Sequence, residues 1–274
     1  MLKNRIITGA VLFLLVLAAV FLLPPRWFQL VVGLIFLFAC WEWTALVPLK
    51  HPATRVVYLM VTAVFSVFTF GWLPLMLVIA AVFWLWALAG VILFACGKKP
   101  LGLEQPIAKM IFGLIAFAAL YDSVLMLRAL DHLTQIPWLI MILVVISMSD
   151  IGAYFAGRFW GGKLLAPRAS PKKTWAGFYG GLVASMLASF IFTGVFLHLL
   201  MIDNQQFWRI NISVLIAVLF GVFGDLFESM LKRQVDLKDS GSILPGHGGL
   251  LDRIDSLLPS LPIFVLIGFM NFFG

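Results

Sequence analysis

Apolar residues form long runs along almost the whole chain, and short polar segments separate them. A helix needs about 20 mostly apolar residues to cross a membrane, and nine runs approach that length. The runs are continuous, whereas membrane barrels show short segments in which apolar and polar residues alternate. The pattern therefore predicts membrane-spanning helices over residues 6–23, 27–47, 56–70, 72–96, 110–127, 138–159, 175–200, 212–231 and 257–273.

One break in this pattern is weak. The third and fourth runs are separated by a single glycine, Gly71, so they form either two spans or one interrupted hairpin. The first run, 6–23, is as long as a span and has no clear cleavage site of small residues. It therefore predicts a first helix rather than a signal peptide.

Composition agrees with a protein that lies largely in a membrane. Hydrophobic residues make up 63% of the chain and charged residues only 11%, which is more apolar than a soluble core requires. Both cysteines, Cys40 and Cys96, lie inside apolar runs, so no disulfide is predicted. The predicted fold class is an all-α polytopic membrane protein with about nine transmembrane helices and a polar catalytic site at the cytoplasmic face.

The distribution of basic residues predicts how the chain is oriented in the membrane. If the N-terminus is cytoplasmic, sixteen of the nineteen lysines and arginines fall on inside segments, and only Arg26, Arg128 and Arg209 lie outside. Lys and Arg concentrate in cytoplasmic loops, so this split places two polar loops, 158–174 and 232–255, in the cytoplasm. The net charge of +7 then follows from topology, and no nucleic-acid partner is predicted.

The chain divides into two predicted regions. Residues 1–137 carry no sharp motif and are interpreted as a scaffold of transmembrane helices that can also serve dimerisation. Residues 138–274 contain both polar loops and are predicted to be the catalytic region. In the first region Glu42 lies between Trp41 and Trp43, and we interpret it as an interfacial carboxyl group beside belt tryptophans.

Acidic residues inside the later apolar runs are candidate metal ligands. A carboxylate in the middle of a span costs roughly 2.5–3.5 kcal/mol on insertion scales. Asp225 and Glu228 are three residues apart and share one helix face. Either they pair with nearby cations such as Lys232 and Arg233, or at least Asp225 binds a divalent metal. Ligands that offer only oxygen suit Mg²⁺, Mn²⁺ or Ca²⁺ rather than zinc.

A second acidic pair follows a glycine-rich turn. Asp252 and Asp255 have the same spacing and precede the last run, where they form either the solvated start of a helix or a pair that holds a metal bridging phosphates. The turn, Pro-Gly-His-Gly-Gly over 245–249, can bring backbone N–H groups close to anionic oxygens. His247 is either a loop residue or part of that site.

The earlier polar loop offers further cations. Asp150 lies inside the sixth run, and Ser170-Pro171-Lys172-Lys173-Thr174 immediately precedes the seventh. The hydroxyl groups can cap a helix, and the lysines can serve as topology signals. Alternatively, the lysines form a cradle for polyphosphate.

Residues 229–255 closely resemble the signature of the CDP-diacylglycerol synthase family, also called phosphatidate cytidylyltransferases. The motif spans nearly 30 residues with uncommon spacing, so the resemblance is specific. The segments SD-x-GAY-x-x-GR and LAP-x-x-SPKKTW-x-G are similar to a second block of that family. The residues that match the signature are Ser229, Lys232-Arg233, Lys238-Asp239, Gly241, Pro245 to Gly249, and Asp252-Arg253-x-Asp255.

The resemblance implies a reaction in which CMP passes from CTP to phosphatidate, giving CDP-diacylglycerol and pyrophosphate. It also implies Mg²⁺, a monovalent cation such as K⁺, a homodimer and a bacterial inner membrane. The implied metal ligands are Asp225, Asp252 and Asp255, with Asp150 and Glu228 as further candidates. The three aspartates, His247 and Lys238 are the implied catalytic residues. The implied substrate-binding residues are Ser170, Lys172, Lys173, Thr174, Lys232, Arg233, Gly246, Gly248, Gly249 and Arg253.

Two other functions remain open at this point. A CTP-dependent lipid kinase of related membrane architecture would transfer the γ-phosphate and release CDP. An ion-coupled transporter would use intramembrane carboxylates to relay cations. The carboxylates cluster at one face and no internal repeat is visible, which argues against the transporter.

Overall fold

The computed structural model describes residues 14–49, 51–134, 137–200, 203–241 and 248–271, and the side chains within them except those of 132–134 and 196–200. The first helix, α1, is described over residues 14–22. The helices that follow are α2 (Pro25–Leu46), α3 (Pro52–Thr69), α4 (Leu73–Ala95), α5 (Pro106–Thr134), α6 (Trp138–Phe159), α7 (Trp175–Leu200), α8 (Asn204–Gln234), α9 (Leu251–Ile254) and α10 (Leu257–Asn271). A hairpin of β1 (Leu164–Ala166) and β2 (Ser170–Thr174) lies between α6 and α7.

The protein is an all-α polytopic membrane protein. Seven helical stretches within the described residues are long and apolar enough to cross a membrane. One of them, Pro52–Ala95, is 44 residues long and contains both α3 and α4. A straight helix of that length would measure about 66 Å, roughly twice the hydrocarbon thickness.

The direction of this long stretch reverses at a 3₁₀ turn, Phe70–Trp72. In α3 the Tyr58 hydroxyl donates to Met110 O of α5 at 2.9 Å, and Thr69 Oγ1 donates to Asp122 Oδ2 at 2.7 Å. α3 therefore runs parallel to α5. In α4 the Trp84 ring lies 4.9 Å from that of Phe112, while the earlier Met76 shares a buried cluster with Ala118 and Ala119. α4 therefore runs antiparallel to α5, and α3 and α4 fold as a hairpin.

The structure differs from the sequence-based expectation at the end of the eighth run, where polar residues continue a helix that the apolar pattern ends, and in the loop 158–174. The predicted run 212–231 is part of a longer helix, α8, whose last turn contains Lys232 and Arg233. These two residues were predicted to lie in a cytoplasmic loop. The loop 158–174 contains the β-hairpin, which the sequence analysis did not predict.

Helices of both predicted regions share one buried core. Phe112 of α5 and Phe227 of α8 have ring centroids 4.5 Å apart. Trp84 of α4 contacts both rings at 4.9 and 5.6 Å, and Trp43 of α2 lies 6.3 Å from Phe227. The division of the chain at residue 137 stays a prediction, while these contacts fix the position of α8 against the N-terminal helices.

Small residues allow α6 and α7 to approach closely, as is common between membrane helices. Ser149 and Gly152 of α6 face Gly181 and Ala184 of α7, and Gly157 faces Gly177. A Cβ atom at Gly177 would lie only 2.9 Å from Ala153 O. The two helices are antiparallel, so their loop-side ends meet beside the β-hairpin.

Replacing Gly180 by Val is expected to destabilise the protein by about 1–3 kcal/mol, the usual cost of overpacking. A Cβ atom there would overlap the Ala156 side chain and lie 3.0 Å from Gly152 O. Thermal unfolding in detergent measures the effect. Gly194→Val is the matched control, because Gly194 is in the same helix and no neighbouring atom of the described residues would lie within 4 Å of a Cβ atom there. Equal melting temperatures for the two variants would contradict the close packing.

Candidate active site

A cleft of about 580 Å³ opens between α6, α7, α8 and the segment that begins at α9. Four aspartates and four cationic side chains line it, together with apolar and small residues. The charged residues of the lining are Asp150, Asp225, Asp252, Asp255, Arg158, Lys172, Lys173 and Arg253. Both predicted polar loops thus contribute to one site.

Asp225 lies on α8 at the wall of the cleft. Its Oδ2 forms an ion pair with Lys173 of β2, and both side chains are 27% exposed. The Ser229 hydroxyl, one turn further along α8, donates to Asp225 Oδ1 at 3.3 Å. Gly224 lets α8 approach the next segment closely, since a Cβ atom there would lie 2.6 Å from Asp255 O. This contact brings the two predicted acidic pairs together.

Asp252 connects α8 to the two ends of the glycine-rich segment. Its Oδ1 accepts a hydrogen bond from Lys232 Nζ at 2.6 Å. Its Oδ2 accepts from Gly249 N at 2.8 Å and from Ser240 N at 3.1 Å. Gly248 has φ +83°, a conformation that favours glycine. Gly248 and Gly249 therefore shape the backbone around Asp252 and do not themselves line the cleft.

Lys232 bridges two carboxyl groups. Its Nζ donates to Glu228 Oε2 at 2.8 Å as well as to Asp252, and the Glu228 side chain is 1% exposed. For Glu228 the structure supports the interpretation that it pairs with a nearby lysine. Neither Glu228 nor Lys232 lines the cleft.

Asp255 and Asp150 complete the acidic part of the cleft. Asp255 is buried, and its Oδ1 accepts hydrogen bonds from Ser256 N at 2.6 Å and Ser256 Oγ at 3.3 Å. Asp150 is exposed and lines the cleft from α6. Both therefore present carboxylate oxygens to the same space as Asp225.

The donor set of the cleft fits a hard cation such as Mg²⁺ when a phosphate ligand adds further oxygens. Within the described ranges, His, Cys, Asp and Glu side chains form no group of three arranged to hold a metal by themselves. Asp150, Asp225 and Asp255 nevertheless offer carboxylate oxygens to one cleft. Mg²⁺ commonly binds through one or two carboxylates plus substrate phosphates.

The β-hairpin supplies two of the four cationic side chains that line the cleft. Lys172 and Lys173 lie on β2, and Thr174 ends that strand. Thr174 Oγ1 accepts a hydrogen bond from Gly177 N at 3.1 Å, so this residue caps α7 as well as lining the cleft. The two lysines that were predicted to form a polyphosphate cradle therefore lie on a short antiparallel hairpin and line the same cleft as the aspartates.

Several predicted site residues lie elsewhere. Lys238 is exposed and is not part of the cleft lining. Ser170 pairs with Ala166 within the hairpin, and Arg233 Nε lies 3.5 Å from Ala169 O. Gly246 and His247 lie outside the described residues.

The interpretation of Glu42 was wrong. Glu42 is only 4% exposed, and its Oε2 accepts a hydrogen bond from Leu251 N at 2.7 Å. The neighbouring Trp43 is 1% exposed and packs in the core rather than in an interfacial belt. Local sequence offered no signal for this contact, which joins residues more than 200 positions apart.

Comparisons with known proteins find relatives that match this chain along almost its whole length. A model described as the cytidylyltransferase family matches residues 3–271. The phosphatidate cytidylyltransferase of Haemophilus influenzae is 36% identical over 286 residues, covering 96% of this chain and 97% of the relative. That of Pseudomonas aeruginosa is 35% identical over 270 residues, covering 97% of both chains. That of Bacillus subtilis is 39% identical over 160 residues, or 57% of each chain. The resemblance noted from residues 229–255 is thereby confirmed, and the chain belongs to the cytidylyltransferase family.

Proposed function

We propose that the protein is a nucleotidyltransferase that transfers CMP from CTP to phosphatidate and releases pyrophosphate. The observation that carries the proposal is the single cleft in which four aspartates face the lysines of the β-hairpin. In this reaction a phosphate oxygen of phosphatidate attacks the α-phosphorus of CTP. The bond from that phosphorus to the β-phosphate oxygen breaks, and the product is CDP-diacylglycerol.

The charged side chains of the cleft have complementary roles in this proposal. Asp150, Asp225 and Asp255 would hold Mg²⁺, which neutralises charge on the triphosphate and on the leaving pyrophosphate when it is bound. Lys172 and Lys173 bind and orient phosphate oxygens. Such chemistry depends on positioning and charge neutralisation and needs no protein nucleophile.

The proposal also gives roles to the two arginines of the cleft and to the glycine-rich segment. Arg158 and Arg253 add positive charge to the lining of the cleft. Asp252 holds Ser240 and Gly249 by their backbone N–H groups, which fixes the approach of the glycine-rich segment to the cleft. His247 and Gly246, which lie outside the described residues, are proposed to line the nucleotide site.

The proposed topology has nine crossings, a cytoplasmic N-terminus and a cytoplasmic active site in a bacterial inner membrane. The hairpin of α3 and α4 supports counting the stretch Pro52–Ala95 as two crossings. Lysines and arginines are abundant in the segments at the cleft end of the helices, which supports the orientation. The family resemblance supports two further parts of the proposal, a homodimer and a monovalent cation such as K⁺ beside Mg²⁺.

The test uses purified protein in detergent with phosphatidate, Mg²⁺ and CTP that carries a label on the α-phosphate. The label is expected to enter the lipid phase, with one pyrophosphate released for each labelled lipid. Chelation of Mg²⁺ with EDTA should stop the transfer, and added Mg²⁺ should restore it.

Two other outcomes would contradict the proposal. Transfer of a γ-label to the lipid, with CDP left in the aqueous phase, would identify a lipid kinase. If neither label moves across a range of lipids, metals and detergents, while vesicles show substrate counterflow without nucleotide, the protein is a transporter.

A further inference from the structure

We propose that Glu42, on the N-terminal helix α2, is a positioning residue that holds both ends of the glycine-rich loop around Asp252. This inference rests on the proposed function for its effect on activity. Its structural part, the ordering of the loop ends, is independent of which reaction the cleft performs.

Glu42 contacts both chain segments that enter and leave the loop. Its Oε2 accepts hydrogen bonds from Leu251 N at 2.7 Å and from Ser240 Oγ at 3.3 Å. Glycines make room for the carboxyl group on both sides. A Cβ atom at Gly241 would lie 2.7 Å from Glu42 Cδ, and one at Gly249 would lie 2.6 Å from Glu42 Oε2. The carboxyl group is therefore closely packed between the backbones of residues 240–241 and 249–251.

Asp252 binds the same two segments. Ser240 donates its backbone N–H to Asp252 and its hydroxyl group to Glu42. Gly249 donates its N–H to Asp252, and the N–H of Leu251 goes to Glu42. Two carboxyl groups thus bind both segments at the base of the loop, and of the two only Asp252 lines the cleft. Loss of Glu42 would leave Asp252 as the remaining described side chain that holds both segments.

The position of Glu42 is set by helix packing in the N-terminal half. Lys109 of α5 is 2% exposed, and its Nζ donates to Leu46 O at the end of α2 at 3.0 Å. In return, Trp43 Nε1 donates to Lys109 O at 3.2 Å. α2 is therefore anchored on α5 directly beside Glu42. The first helices contribute to the active site through this residue, in addition to forming a scaffold.

The contacts predict an order of catalytic activity among three variants of Glu42. Glu42→Gln keeps the length of the side chain and one carbonyl oxygen that can replace Oε2. Glu42→Asp keeps the charge but shortens the side chain by one C–C bond, about 1.5 Å. Its carboxylate oxygens are therefore out of hydrogen-bond reach of Leu251 N and Ser240 Oγ. Glu42→Ala removes the group. We expect Gln to retain most of the wild-type kcat/KM, and Asp and Ala to lose roughly 10–100-fold, the range for residues that orient a site indirectly.

Hydrogen–deuterium exchange of the ligand-free protein provides a readout besides activity. In Glu42→Ala, peptides that cover residues 238–256 should exchange about tenfold faster, because buried hydrogen bonds to Ser240 and Leu251 are lost. Peptides from α3 and α5 should be unchanged. Asp122→Asn is the matched control. Asp122 is a fully buried carboxyl on α5 that accepts from Thr69, about 20 Å along the helix from Lys109, and its replacement should leave exchange at 238–256 unchanged.

The outcomes separate this inference from the proposed function. Unchanged exchange at 238–256 in Glu42→Ala would overturn the inference. A higher kcat/KM for Glu42→Asp than for Glu42→Gln would overturn it as well. If exchange rises as expected but the wild-type protein transfers no CMP, the positioning role stands and the proposed function fails. Faster exchange throughout the protein in Glu42→Ala would also overturn the inference, since it would show a general loss of stability.

Discussion

Asp225→Asn is expected to lower CMP transfer by roughly 10²–10³-fold, the range for loss of one preorganised group that stabilises charge in a transition state. Asn removes the negative charge but keeps an oxygen that can accept from the Ser229 hydroxyl. Lys173, the ion-pair partner, is 27% exposed, so water can solvate its ammonium group in the variant. The protein should therefore remain folded while it loses activity.

Asp236→Asn is the matched control for this variant. Asp236 follows the end of α8 and is exposed, and it is not part of the cleft lining. Its φ of +55° is a conformation that asparagine also tolerates. Release of pyrophosphate and transfer of the α-label should be measured at several Mg²⁺ concentrations, together with the melting temperature. Near-normal transfer by Asp225→Asn would exclude a metal-binding role for Asp225.

The apolar pattern predicted the helices well because membrane insertion requires long apolar runs. The described parts of the nine predicted runs are largely helical. The pattern marked only the apolar part of each helix, however. It ended the eighth run at residue 231, whereas α8 extends through Lys232 and Arg233 to Gln234. Backbone hydrogen bonds continue a helix beyond the apolar stretch, and composition alone does not reveal that extension.

Residues of the candidate site were predictable where the sequence signal is local. Asp225 was identified by its place in an apolar helix, and Lys172 and Lys173 by their run before the next helix. All three line the same cleft. The partners of these groups were not predictable, because they depend on contacts between distant segments. The bond from Leu251 N to Glu42 joins residues 209 positions apart, and no spacing rule anticipates it.

Lys232→Met is expected to destabilise the protein by about 3–5 kcal/mol, the usual cost of breaking a buried ion pair by removing one partner. The side chains of Lys232, Glu228 and Asp252 are 12%, 1% and 11% exposed. The ammonium group is the cation that holds both carboxyl groups, and methionine has similar length but no charge. Thermal unfolding in detergent should show the loss. Lys98→Met, in the exposed segment after α4, should not change the melting temperature.

Lys232 both compensates the charge of Glu228 and holds Asp252, and a double variant separates these two roles. Adding Glu228→Gln to Lys232→Met removes the most deeply buried uncompensated charge, so most of the lost stability should return. Activity should not return, because Asp252 still lacks the cation that fixes its Oδ1 at 2.6 Å. Full recovery of CMP transfer in the double variant would show that Lys232 serves only to compensate Glu228. Recovery of stability alone would show that Lys232 contributes to activity beyond compensating Glu228, as expected if it holds Asp252.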